Sequence, residues 1–148
     1  MAFYFSLEAI LRLRRGQERM ERLKLEAIAS EQAQARRQLE IMTEQFFESR
    51  RRFQQQMGVE KFGSELQFED ARSDRVAAAR RALDLRISEL EQQRLKQVEA
   101  YTKARQGREI LENLRSRKFE VYRQMRSRRE QQDLDDLFLM RQDLIRDE

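Results

Sequence analysis

The stretch that decides the fold is residues 25–53, LEAIASEQAQARRQLEIMTEQFFESRRRF. Within it, positions separated by alternating steps of three and four residues are mostly apolar. This average period of 3.5 residues is typical of the seam along which one helix packs on another in a coiled coil. The stretch therefore predicts a long helix with a packed partner. The seam positions are Leu25, Ile28, Gln32, Ala35, Leu39, Met42, Phe46, Ser49 and Phe53.

Four residues closer to the N-terminus follow the same steps, but one residue out of phase. They are Ile10, Leu13, Gln17 and Met20. We expect them to extend the seam after a one-residue skip near Lys24, which in a coiled coil is a stutter.

The second half of the chain carries a similar stripe, interrupted by Arg94 and Lys118. Long basic stems can lie along a seam while their charged ends reach water, so such interruptions suit a two-stranded assembly. The predicted second seam comprises Val76, Leu83, Ile87, Leu90, Val98, Tyr101, Leu111, Leu114, Val121 and Met125.

The break between the two stripes contains Gly58 and Gly63. Gly58 is placed to end the first helix, and Ser64 followed by Gln67 is a capping-box pattern that can start the second. The chain should be one domain. We expect helix one over about residues 6–57, a bend over about 58–68, helix two over about 69–130 and a helical overhang over about 131–148.

These elements predict an all-α fold, a long two-helix antiparallel coiled-coil hairpin. Two continuous helices paired in parallel as a dimer are the competing arrangement. In the hairpin, the numbers of facing residues should add up to about 127 if Met57 faces Asp70 across the bend. This register places Leu39 near Ser88 and Phe3 near Gln124.

Composition excludes several classes of function. The chain has 148 residues, of which 39% are charged, and it contains no Pro, Cys or His. Zinc fingers, disulfide frameworks and thiol or imidazole catalysis all need residues that are missing. No apolar run is long enough to span a membrane, and the arginines follow the apolar N-terminal stretch, whereas a signal peptide has the opposite order. We expect neither enzymatic activity nor a cofactor, and a cytoplasmic or membrane-peripheral protein.

Charge is unevenly distributed along the second half. Residues 76–132 carry 15 basic and 8 acidic side chains, whereas residues 133–148 carry 2 and 6. Folding the hairpin brings the basic residues of both helices to one end. The candidates for binding a partner there are Arg12, Arg14, Arg15, Arg115, Arg117 and Lys118. Acids are interleaved with them, so a solvated helix face, a protein partner and a nucleic acid are all open interpretations.

The C-terminal overhang should outrun helix one and still has an apolar stripe. Leu134, Leu137, Phe138, Leu144 and Ile145 recur at helical spacing among acids. We expect this segment to dock on a partner through an apolar groove with a basic rim. The alternative is that it folds back on the N-terminal end of the same chain.

Three phrases of the sequence resemble the flagellar FliJ family. FSLEAILRLRR at 5–15 is similar to the opening phrase of these proteins. REILENLRSRK at 108–118, followed by the aromatic Tyr122 and by REQQDLDD at 129–136, is similar to their C-terminal half. The order and spacing of the phrases carry the resemblance, which covers essentially the whole chain. Asp136 departs from the Glu usual in the family, and an apolar run at 137–140 follows it.

The resemblance implies an antiparallel coiled coil similar to the stalk of the ATP synthase gamma subunit. It implies a non-enzymatic component of flagellar protein export that inserts in and stimulates the hexameric export ATPase FliI and works beside the ATPase regulator FliH. The implied further partners are the export gate FlhA and substrate chaperones, at the cytoplasmic face of the cell membrane. Tyr122, Leu134, Leu137 and Phe138 join the basic candidates as partner-binding residues. The stalk of a virulence-type secretion system and a basic coiled coil that binds nucleic acid are the alternatives.

Overall fold

A computed structural model describes residues 3–56 and 63–146, with side chains as far as Arg141. This part of the chain contains two helices, α1 (Glu8–Gln55) and α2 (Gly63–Arg146), and no strand. The helices pack against each other as an antiparallel two-helix coiled coil, which confirms the predicted fold class. The role predicted for Gly58 lies outside the described residues.

The first turns of the two helices can be explained from the local sequence and hydrogen bonds. At the start of α1, the amide of Glu8 donates to the carbonyl of Phe5 at 3.1 Å, and the amide of Leu11 donates to the carbonyl of Leu7 at 2.9 Å. The second helix begins at Gly63, about one and a half turns before the predicted start near residue 69. Residues 63–68 contain no proline, the strongest helix breaker, and the helix begins one residue before Ser64, the predicted cap.

The hairpin divides into two compact units. One comprises Met1–Glu18 and Lys103–Glu148 and is called the terminal unit below. The other comprises Arg19–Thr102 and is called the bend unit. Each has its own seam between α1 and α2.

In the bend unit, the α1 seam agrees with the prediction at every position. All nine residues predicted from 25 to 53 are buried or half-buried, and Ala35 and Gln32 are the most enclosed. Opposite them on α2, Leu90 is fully buried and Leu83 and Ile87 are half-buried. The apolar spacing alone therefore located this seam.

The register in the bend unit is one helical turn away from the prediction. The carboxamide of Gln32 donates a hydrogen bond to Glu91. The predicted register would have placed Gln32 opposite residue 95, about one turn further along α2. The sequence does not show how the chain turns between the two helices. The predicted register therefore rested on an assumed pairing of Met57 with Asp70, and Met57 lies outside the described residues.

The predicted extension of the α1 seam is wrong. Ile10, Leu13 and Met20 are 45%, 61% and 57% exposed, and Gln17 is exposed as well. The positions that face α2 are Leu7, Leu11, Glu18 and Glu21, which continue the seam of residues 25–53 without a skip. The prediction followed the apolar residues, whereas the helix kept its phase and placed charged residues on the seam.

Three predictions on α2 are also wrong, Val98 for the same reason and Met125 because the packed part of α2 ends at Tyr122. Val98, Val121 and Met125 are exposed, although they were predicted to be packed. Between residues 97 and 108 the seam passes through Gln97, Tyr101, Ala104 and Arg108, of which Tyr101 was predicted. Polar side chains again occupy positions that an apolar pattern cannot reveal.

In the terminal unit, aromatic and aliphatic side chains close the packed region. Phe5 and Leu11 are buried. The Phe3 ring stands edge-on to Phe119 at 5.2 Å and lies 5.6 Å from Tyr122, rather than beside Gln124 as predicted. Tyr122 is the last half-buried residue of α2, so the packed part of this unit ends there.

Candidate functional site

A cluster of four charged side chains occupies the seam of the terminal unit. Arg108 lies at its centre and donates hydrogen bonds to Glu18 of α1 and to Glu112 of α2. Arg15 completes the cluster, because its Nε and Nη2 donate to one oxygen of Glu112 at 3.1 and 3.0 Å. Glu18 and Arg108 are among the least exposed charged side chains of the ion pairs. The cluster fixes which residues of the two helices face each other.

The electrostatics of the cluster favour its ionised form. Burial works against the charge of Glu112, but the hydrogen bond from Arg15 and the charge of Arg108 outweigh it and lower the pKa of Glu112. The hydrogen bond to Glu18 raises the pKa of Arg108, against a smaller opposing effect of burial. Each charge is therefore stabilised by the others.

Several predicted partner-binding cations are already engaged within the chain. Arg15 binds Glu112, and Nε of Arg115 donates to Glu8 at 3.1 Å. The side chain of Arg14 lies over Gly107 and donates to Gln17 at 3.3 Å. The Nζ atom of Lys118 lies 5.8 Å from the centre of the Phe5 ring, within range of a cation–π interaction.

Two of the predicted cations remain available. Arg12 and Arg117 are exposed and make no hydrogen bond or ion pair within residues 3–56 and 63–146. Of the predicted basic residues, four are thus engaged within the chain, and Arg12 and Arg117 remain to contact a partner.

The C-terminal part of α2 agrees with the prediction of an unpartnered helix. Every side chain from Arg123 to Arg141 is exposed. Leu134, Leu137 and Phe138 are 66%, 63% and 63% exposed, and Leu139 and Met140 are similar. Leu144 and Ile145, predicted to belong to the same stripe, lie beyond the last described side chain. We call residues 123–146 the tail helix.

The comparison with known families fits this architecture. A model of the flagellar FliJ protein family matches residues 3–143. The chain belongs to the FliJ family. No curated protein and no solved structure matched the chain.

In this FliJ-family chain, two of the predicted partner-binding residues, Tyr122 and Arg117, lie near the end of the packed region. Tyr122 packs on Phe3 and Phe119, so its ring holds the last packed turn in place. Arg117 lies on the same helix, shortly before the tail helix begins at residue 123. The predicted residues Leu134, Leu137 and Phe138 are farther along that helix and share no contact with the basic residues.

Other kinds of site are not evident in the described part of the chain. Residues 3–56 and 63–146 contain no group of three or more carboxylate, imidazole or thiol side chains arranged to hold a metal ion. Neither α1 nor α2 has a stretch apolar enough to cross a bilayer, as far as the residues described extend.

The bend unit contains a cleft that the sequence did not predict. It has a volume of about 320 Å³ and lies between α1 and α2, where Met42, Phe46 and Phe53 face Ser73 and Val76. The seam positions on α2 are short here and leave the space between the large α1 side chains unfilled. The sequence contains these residues but does not show which of them face each other. The mismatch in side-chain size between α1 and α2 could therefore not be predicted.

Proposed function

We propose that this FliJ-family chain is the non-enzymatic stalk of a flagellar export ATPase, and that its tail helix enters the central opening of the ATPase hexamer. The family match supports a role in flagellar protein export. Insertion into the ring, stimulation of ATP hydrolysis and contact with the export gate belong to the proposal.

The observation that carries the proposal is the run from Leu137 to Met140. Four consecutive residues of a helix point in four directions about 100° apart, because the helix has 3.6 residues per turn. All four side chains here are apolar and more than half exposed. A single helical turn that is apolar on all sides can contact a surface that surrounds it. A sleeve therefore fits this segment better than the one-sided groove that the spacing first indicated.

The width of the tail helix supports the same assignment. From Arg123 onwards α2 has no packed neighbour among the described residues, so a single helix continues beyond the coiled coil. One helix with its side chains is about 10–12 Å across, so it can enter an opening that is too narrow for two packed helices. A closed ring of six subunits has an opening on its axis, and we propose that the tail helix enters it.

The unpaired cations would then meet the rim of the ring. Arg12 and Arg117 lie in the terminal unit near the last packed turn, so they would approach the ring surface as the tail enters. Rim charges of this kind mainly set the rate of association and its salt dependence. Arg15 and Arg115 would contribute little, because Glu112 and Glu8 already neutralise them.

The wider assignment follows the family resemblance. We propose a cytoplasmic location at the cytoplasmic face of the membrane, beside the ATPase regulator and the export gate, with substrate chaperones as further partners. The match to the flagellar family supports the flagellar system over a virulence-type system. Flagellar assembly, and with it motility, would depend on the protein.

The test compares two variants with the same change in charge. Leu137→Asp with Phe138→Asp removes apolar surface from the tail, whereas Gln131→Asp with Gln132→Asp adds the same charges to exposed polar positions. The steady-state ATP hydrolysis of the cognate hexamer is measured as a function of the concentration of each variant. We expect the first variant to lose stimulation and the second to retain it, with circular dichroism showing both folded. Equal stimulation by the two variants would show that the tail does not act through its apolar surface.

A further inference from the structure

We propose that two copies of this chain associate through their α2 helices, with the tail helix of each copy covering an apolar strip on the terminal unit of the other. The strip consists of Ile10 and Leu13 on α1 and Ile110 and Leu114 on α2. The proposal rests on the exposed surfaces and charges described next and does not depend on the proposed function. In the dimer the tail helix is covered, so a tail engaged there is not at the same time inside the ring.

The strip lies along one side of the terminal unit. Gly107, Ile110 and Leu114 follow steps of three and four residues and so share one face of α2. The contact of Arg14 with Gly107 shows which part of α1 borders that face. Ile10 lies one turn before Arg14, on the same side of α1.

The strip is open to solvent. Ile110 is 68% exposed, and Leu13 is 61% exposed. Leu114 is half-buried, with part of its surface facing outwards. The opposite side of the seam carries the ion pair between Arg15 and Glu112, so the two sides of the terminal unit differ in character.

Unpaired cations stand at both ends of the strip. Lys103 and Arg117 belong to the same row of α2 as Gly107 and Ile110, because the steps between neighbours remain four and three. Neither makes a hydrogen bond or ion pair with any residue that the structure describes. An occupant of the strip should therefore combine apolar side chains with carboxylates.

The tail helix has this combination. Leu134 and Phe138 lie four residues apart on one face of it, and both are exposed. Asp133, Asp135 and Asp136 flank them and form no ion pair within the described part of the chain. Residues 133–148 carry 6 acidic and 2 basic side chains. The unpaired acids of the tail thus complement the unpaired bases of the strip.

The tail cannot cover the strip of its own chain. Ile110 and Phe138 belong to one continuous helix, α2, which runs to Arg146. The 28 residues between them correspond to about 42 Å along the helix axis. Contact between the two surfaces therefore requires a second copy.

One antiparallel register satisfies both apolar contacts. In an antiparallel pair, four residues forward on one helix correspond to four residues back on the other. If Ile110 faces Phe138 of the second copy, Leu114 therefore faces Leu134 of the second copy. Arg117 then comes within reach of Asp133 of the second copy. The arrangement is symmetric, so the same contacts form twice, as in a dimer with a twofold axis.

The absence of native cysteine gives a direct test of this register. Leu114→Cys and Leu134→Cys are combined in one chain and oxidised. These positions are about 30 Å apart along their own helix, so a disulfide can form only between chains. The control combines Leu114→Cys with Gln132→Cys, which lies on the other side of the tail helix. We expect covalent dimers from the first variant and few from the control.

Sedimentation velocity over a concentration series measures the association without oxidation. Ile110→Asp changes an exposed residue, and it should weaken the dimer by about 100-fold because two Ile contacts are lost per dimer. Phe138→Asp should act similarly. Mixing these two variants should restore part of the dimer, because the tail of the Ile110→Asp chain and the strip of the Phe138→Asp chain are both intact.

Three results would overturn the proposal. The first is a wild-type chain that sediments as a monomer throughout the series. The second is a dimer that both variants leave unchanged, or equal cross-linking of the two cysteine pairs. The third is a monomer whose tail amides are protected from hydrogen exchange, since the tail would then be covered within its own chain.

Discussion

Two glycines in the middle of the helices provide the sharpest test of the terminal unit. Gly16 lies within α1 and Gly107 within α2, and neither has a positive φ. A methyl group added at Gly16 would meet nothing within 4 Å, and one added at Gly107 would lie 3.7 Å from Arg14, an ordinary van der Waals distance. Neither glycine is therefore needed for a turn or for close packing.

The expected gain follows from helix propensity. Glycine in a helix interior is less favourable than alanine by about 0.5–1 kcal/mol, because it loses more backbone entropy on folding. Gly16→Ala and Gly107→Ala should each raise the free energy of unfolding by this amount. Because a methyl at Gly16 would touch nothing, the two effects should add to about 1–2 kcal/mol. For a chain of this length, the melting temperature should rise by about 2–8 °C.

Thermal and urea unfolding followed by circular dichroism at 222 nm measure this gain. Ala27→Gly is a matched control, because Ala27 is exposed within α1 and the reverse substitution should cost about as much as one glycine replacement gains. Our reasoning would be refuted if either alanine variant were less stable than the wild type. That outcome would mean that the backbone at the glycine needs a conformation that alanine resists.

Three further predictions concern other parts of the chain. Because the pKa of Glu112 is lowered on folding, its contribution to stability is present above its ordinary pKa of 4.5 and is lost as the pH falls through its folded value; Glu112→Gln should therefore reduce the loss of melting temperature between pH 7 and pH 3. Cysteines at Gln32 and Glu91 should be joined within one chain by a short bismaleimide, faster than cysteines at Gln32 and Leu95, as mass spectrometry of the monomer would show; the opposite order would support the register first predicted. Ser73→Leu should fill part of the cleft in the bend unit and raise the urea midpoint by an amount equivalent to about 1 kcal/mol, and an unchanged or lower midpoint would mean that the cleft does not accept the larger side chain.

The sequence predicted the fold where apolar residues lie on the seam. From Leu25 to Phe53 the seam side chains are large or apolar often enough for the period to be read directly. The same method failed from Ile10 to Met20, because the residues facing α2 there include Glu18 and Glu21, and the apolar residues lie beside the seam. A charged residue on a seam is recognisable only through its partner on the other helix.

The candidate site could be predicted only in part for a related reason. The exposure of Leu134 and Phe138 followed from the unequal lengths of the two helices, which the sequence makes visible. The engagement of Arg15 and Arg115 did not, because ion pairs between distant residues depend on the register to within one turn. An error of one turn is enough to turn a structural cation into an apparent binding residue.

The charged cluster on the seam also bears on what happens when the two helices part. Separating two helices along an apolar seam exposes hydrophobic surface, which promotes aggregation. Around Glu18 and Arg108, separation would instead expose charges that water solvates well. An opening limited to this turn would therefore leave the chain dissolved, and a rise in salt concentration, which screens exposed charges, would favour it.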